Sequence, residues 1–169
     1  YSYDQIEKVI SLGYVCSYQP QYSLLYRENQ KSIDLCAKNN IGILTYGSIA
    51  GGILSGKYRT EEDCPKDGRT QTYPFYHGEA FKKAMKLVDV LEMIANDHQK
   101  PISHVAINWV NQQPGITTSL VGMKTPEQAI SNAEAGNWEL SKEELMLINS
   151  TYEKLFGDRT GQIRHIAGL

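Results

Sequence analysis

The sequence is poor in cysteine, has no long apolar run and carries no surplus of one charge. Three cysteines, Cys16, Cys36 and Cys64, stand among 169 residues. None lies at the close spacing of a metal knuckle or a redox pair, so reduced structural thiols in a cytoplasmic protein are expected. A formal net charge of −2 gives no general attraction to nucleic acid or to an anionic membrane, and any anion site has to be local. No apolar segment approaches the roughly 20 residues of a bilayer-crossing helix. The opening YSYDQIEKVISLG carries charges along an amphipathic helix pattern, unlike the apolar core of a secretory signal.

One further absence concerns a hydroxyl. In IGILTYGSIAGGILSGKY, residues 41–58, Gly51, Gly56 and Lys57 stand at P-loop spacing. Tyr58 takes the place of the Ser or Thr that ligates magnesium, and Pro65 and Gly68 follow too soon for the helix a P-loop needs. Both points argue against magnesium-nucleotide chemistry. Two readings of the glycines stay open: close backbone approach to a ligand, or a plain flexible turn.

What is present alternates helix and strand. The first helix pattern ends at Gly13, YVCSY has strand composition, and a helix pattern runs from about Glu28 to Asn39. IGILTY, almost wholly apolar, reads as a strand covered on both faces. Residues 59–78 are polar, rich in turn formers and free of helical periodicity, the profile of a functional loop or lid. Helix patterns follow over about Glu79–Asp97 and from Ser103, read as an N-cap, through VAINWVNQQ. ITTSLVG reads as a buried strand. Thr125 and Pro126 then open another helix, and Ser141 with Glu144 forms the capping box of the last. The alternation predicts an α/β fold with a parallel sheet and helices outside it. Three strands neither close a barrel nor protect both edges of a sheet, so the chain is expected to be part of something longer.

The second stretch with chemical promise is LVGMKTPEQAISN, where Lys124 and the amides of a helix start lie just past the end of a strand. That is a cradle for a phosphomonoester, or an ordinary capped helix with a solvated lysine. The four histidines suggest no metal. His98 and His104 sit at a helix end and start, where capping or solvent exposure is expected, while His77 and His165 lack carboxylate or cysteine partners at ligand spacing. Trp109 is expected to pack in the core.

Together QPQYSLLYR, LTYGSIAGGILSGKY, VAINWV and LVGMKTPEQAISN, in this order, resemble the aldo-keto reductases, especially the branch with potassium-channel beta subunits and bacterial general reductases. The resemblance implies residues 1–156 as the C-terminal portion of a (β/α)8 TIM barrel, strands six to eight with their helices, and 157–169 as a tail. It implies NADP(H) as cofactor. Gln19 matches the glutamine that bonds the nicotinamide carboxamide, and Tyr46 the aromatic that stacks on its ring. Gly47, Ser48, Ile49, Ala50 and Gly51 match the segment around the pyrophosphate, with Lys57 and Arg69 as cationic partners. Gly122, Lys124, Gln128 and Asn132 match the adenosine end, with Lys124 facing the 2′-phosphate. Ser131 departs from the acidic residue many members carry there.

The family's catalytic Tyr, Lys, Asp and His lie on early strands, so no catalytic residue is assigned to this chain. The implied function is the cofactor-holding part of a reductase of aldehydes or ketones, inactive alone, completed by the N-terminal barrel portion in cis or in trans. The alternative is an NADP(H)-sensing subunit of a channel-type or other assembly. Neither reading requires nucleic acid or membrane insertion.

Overall fold

The computed structural model describes residues 1–157. The tail 158–169, with His165 and nearly all of the expected C-terminal segment, lies outside the described residues. Helix α1, Tyr3–Leu12, starts in a reciprocal box: Ser2 Oγ accepts from the Gln5 amide and Gln5 Oε1 accepts from the Ser2 amide. It is followed by β1, Ser17–Tyr18, α2, Gln30–Lys38, and β2, Gly42–Tyr46. The strand expected over YVCSY shortens to two residues. After α3, a single turn at Arg69–Thr72, come α4, Gly78–Asp97, and α5, Ile102–Asn111. Strand β3, Thr118–Leu120, and helices α6, Pro126–Glu134, and α7, Lys142–Phe156, complete the order.

The three strands are parallel in the order β1-β2-β3. Ser17 pairs with Gly42 and Tyr18 with Ile43, while Leu44, Thr45 and Tyr46 pair with Thr118, Ser119 and Leu120. Parallel neighbours need long crossovers, and these are supplied by α2 and by the α4–α5 pair. The register brings the carboxyl ends of the strands to one edge. Within β2, Ile43 and Thr45 are buried while Gly42, Leu44 and Tyr46 on the other face are more open. The core therefore lies between sheet and helices, where Ile33, Leu87, Val88, Leu91, Val105 and Trp109 are fully or almost fully buried. Each such apolar side chain contributes roughly 1.5–3 kcal/mol on leaving water.

Three local expectations are corrected. Strand β3 exposes Thr118 and Leu120, because β2 alone flanks it in the described sheet and its apolar residues lack a second cover. Helix α5 begins one residue before Ser103: Pro101, with φ −61°, holds the N-cap position and its carbonyl accepts from the His104 amide at 2.9 Å. Proline's fixed φ suits a helix entry and leaves Ser103 inside the first turn. Residues 59–78 are not an open loop, since short turns at Glu61–Asp63, Arg69–Thr72 and Pro74–Tyr76 fold them down and Phe75 and Tyr76 are buried.

Candidate functional site

Tyr46 ends β2 with its side chain 45% exposed. Its amide bonds the Pro20 carbonyl and its carbonyl accepts from the Tyr22 amide, both at 3.0 Å. Gln19, exposed, therefore emerges beside Tyr46 at the same sheet edge. Beyond Tyr46 the backbone turns tightly. Gly47, Gly51 and Gly52 have φ of +72°, +69° and +112°, and Ala50 joins them at +48°. The Ala50 amide closes a turn onto Gly47 O at 2.8 Å, and the Gly52 amide another onto Ile49 O at 2.9 Å. Ser48 and Ala50 are buried, and Ile49 packs against the core. These three residues thus offer a ligand backbone rather than side chains; Ser48 Oγ, buried, has no hydrogen-bond partner among the described residues.

Tyrosines from the following segment hold this turn. A Cβ at Gly51 would meet the Tyr73 ring at 3.0 Å, and one at Gly52 would meet Tyr58 at 3.1 Å. Tyr76 donates to Gly51 O at 2.8 Å. Burial raises the phenols of Tyr73 and Tyr76, keeping them protonated and able to donate. Sequence reading missed this set. The signal was TYPFY, three aromatics in four positions inside a stretch otherwise polar.

Two of the expected cations, Lys57 and Arg69, both lie near Tyr58. Lys57 is exposed, with Nζ 5.7 Å from the Tyr58 ring centroid. Arg69 sits in α3, where Nε bonds both carboxylate oxygens of Asp67 at 2.9 and 3.1 Å and a terminal nitrogen adds a 2.8 Å bond. Its other terminal nitrogen donates to Tyr58 Oη at 3.1 Å. Arg69 holds the Asp67 carboxyl down to about 2, and Lys124 pulls in the same direction from the β3–α6 connection. Asp67, which sequence reading passed over, thus binds one of the three expected cations, Arg69, and feels the charge of a second, Lys124.

At that connection Thr125 caps α6, its hydroxyl accepting from the Gln128 amide at 3.3 Å. Gln128 Oε1 accepts from the Lys124 amide at 2.8 Å. Gly122 is exposed, with open space where a Cβ would stand, and Asn132 is half-buried one turn beyond Gln128. Ser131 is turned elsewhere: its Oγ lies 2.9 Å from Nε2 of His104. That corrects the expectation for His104, which is 1% exposed and carries a proton less readily than usual because burial disfavours its charge. His98 does cap α4, bonding Glu144 of α7 at 2.7 Å.

The residues fit a dinucleotide in three respects: a half-exposed ring at a strand end, a positive-φ backbone turn that lets a ligand approach closely, and a lysine at a capped helix start. Among the described residues no group of acidic, histidine or cysteine side chains is placed to hold a metal ion, and no helix among them is long and apolar enough to cross a membrane.

Comparison with known proteins extends this geometry. Aldo-keto reductase YhdN of Bacillus subtilis is 30% identical over 95% of this chain and 49% of its own length. An NADH-specific methylglyoxal reductase of Escherichia coli is 27% identical over 90% of this chain and 46% of its own. The solved glycerol dehydrogenase AKR11B4 of Gluconobacter oxydans shares the fold, with a TM-score of 0.83 and 24% identity over 94% of this chain and 48% of that one. The chain thus spans about half the length of the relatives it matches. The family model for the aldo/keto reductase family matches residues 1–153, a span that takes in all three strands, the glycine turn and the capped start of α6; the chain belongs to that family.

Proposed function

We propose that the chain is the C-terminal portion of a (β/α)8 aldo-keto reductase barrel, strands six to eight with their helices, and that it holds NADP(H) for reduction of a small aldehyde or ketone. One observation carries this reading. The parallel register sets Gln19, Tyr46 and the 47–51 turn on the same sheet edge as the connection bearing Lys124. Ligands of parallel α/β sheets bind beyond the carboxyl ends of the strands.

In this reading Gln19 orients the nicotinamide, the Tyr46 ring gives it a flat apolar face, and the 47–51 turn with Lys57 and Arg69 meets the pyrophosphate. Gly122, Lys124, Gln128 and Asn132 form the adenosine end. The bound cofactor supplies the hydride; this chain supplies grip, orientation and exclusion of water. The proton donor and its partners belong to the remaining barrel portion, joined in cis or in trans, and residues 1–156 alone form the site's cofactor wall, with 157–169 as a tail. The protein works in the cytoplasm on a small carbonyl substrate.

A relative named as NADH-specific makes cofactor choice a question for each chain. Here the compact cation of Lys124 supports NADP(H). Lys124→Ala should weaken NADPH about tenfold or more by calorimetry, in line with loss of one charge-assisted contact, and leave NADH almost unchanged. Equal loss for both dinucleotides would remove the 2′-phosphate assignment.

A further inference from the structure

Asp67 is the acidic residue that binds Arg69, one of the cations of this site. Its carboxylate faces Arg69 side-on, the approach by which a guanidinium fork binds carboxylate or phosphate with two parallel bonds. Nε and one terminal nitrogen are used in this way, at 2.8–3.1 Å. The Arg69 amide also bonds Asp67 Oδ1 at 3.0 Å, so backbone and side chain of the same turn close on one anion. The second terminal nitrogen is held by Tyr58, whose ring lies against Gly52. The guanidinium is therefore fixed beside the glycine turn with its side-on fork already filled. Lys124, on the β3–α6 connection, adds a smaller attraction to the same carboxylate.

We propose that Asp67 is an internal competitor for phosphate at this site, holding the fork of Arg69 and lowering the positive potential at Lys124 until a phosphate group displaces it. The inference rests on the reading of Arg69 and Lys124 as phosphate partners. Asp67 and Arg69 are both substantially exposed, with side-chain accessibilities of 53% and 38%. Exposed ion pairs are weak, so the exchange is easy and the competition mild. Its consequence is faster release of the dinucleotide and a narrower margin for the phosphorylated cofactor than the cations alone would give. A residue that instead aimed Arg69 at the ligand would have the opposite effect when neutralised.

The test is calorimetric titration of the full chain and its Asp67→Asn variant with NADPH, NADH and inorganic pyrophosphate at several potassium chloride concentrations, with thermal melting to check folding. Asp67→Asn should tighten pyrophosphate and NADPH about three- to tenfold, NADH less, with the gain shrinking as salt rises. Asp67→Glu should match the wild type, and adding Arg69→Met should abolish the gain. Should the Asn variant not fold, Asp67→Ser serves in its place. Unchanged or weaker pyrophosphate binding by a folded, neutralised variant overturns the proposal, even where the wild type binds NADPH. Tighter pyrophosphate binding by a chain that takes neither dinucleotide upholds the role of Asp67 and rejects the dinucleotide reading instead.

Discussion

The phenol of Tyr76 donates to the carbonyl of Gly51 across 25 residues, at 2.8 Å. Both ends are constrained, since Tyr76 is fully buried and Gly51 sits at φ +69°. The bond makes the segment after the glycine turn part of the turn's own support. Tyr76→Phe keeps the ring and removes the donor, leaving a carbonyl without its partner. The expected cost is about 1–3 kcal/mol in urea denaturation. A variant as stable as the wild type would show that the ring alone, packed against Tyr58 and Tyr73, supports the turn.

Two glycines of the candidate site should respond differently to alanine. At Gly51 a Cβ meets positive φ and the Tyr73 ring together, at 3.0 Å. At Gly122 it enters open space with no unusual φ. Gly51→Ala is expected to cost roughly 1–3 kcal/mol, from backbone strain, whereas Gly122→Ala should stay within about 0.5 kcal/mol of wild type. Chemical denaturation of the pair decides the matter, and equal values would mean the turn relaxes freely.

His104 sets an expected pH response. Burial, the leading cause, lowers its folded pKa below the ordinary 6.5. The unfolded chain therefore binds the proton more readily than the folded one, so stability rises with pH in this range. The contribution is fully present above about pH 6.5 and is lost as pH falls through the folded value. His104→Gln should flatten that part of the melting-temperature profile between pH 7 and pH 5. Parallel slopes for wild type and variant would assign the response to another group.

Helix ends were the most legible part of the sequence. Ser141 and Glu144 make the expected capping box, and Thr125 with Pro126 opens α6, because these signals act within one turn and need no tertiary partner. Signals that depend on neighbours read less well. The apolar run around β3 suggested burial, yet cover depends on what flanks the sheet, which no local pattern records. His104 looked like a capping residue because nothing nearby announces Ser131, 27 positions on. Residues 59–78 lacked periodicity and so resembled a lid; aromatics packing across the turn replaced the missing helix as their source of order. The cofactor-site assignments came from resemblance, and the register explains how such distant stretches reach one sheet edge, while Asp67 carried no signal beyond its proximity in sequence to Arg69.

Arg27 lies with its guanidinium carbon 4.4 Å from the Trp109 ring centroid and 3.7 Å from that of Tyr152. Trp109 in turn stacks on Tyr22 and donates its indole hydrogen to Asn149. The segment leaving β1, helix α5 and helix α7 are thereby clasped at a single point. Such a clasp makes their opening collective: amides of α5 and α7 should exchange with deuterium at one shared rate, as one foldon, instead of α7 peeling away first. Helix α7 then acts as a keystone whose loss would be felt at Tyr22 and Arg27, far back in the sequence.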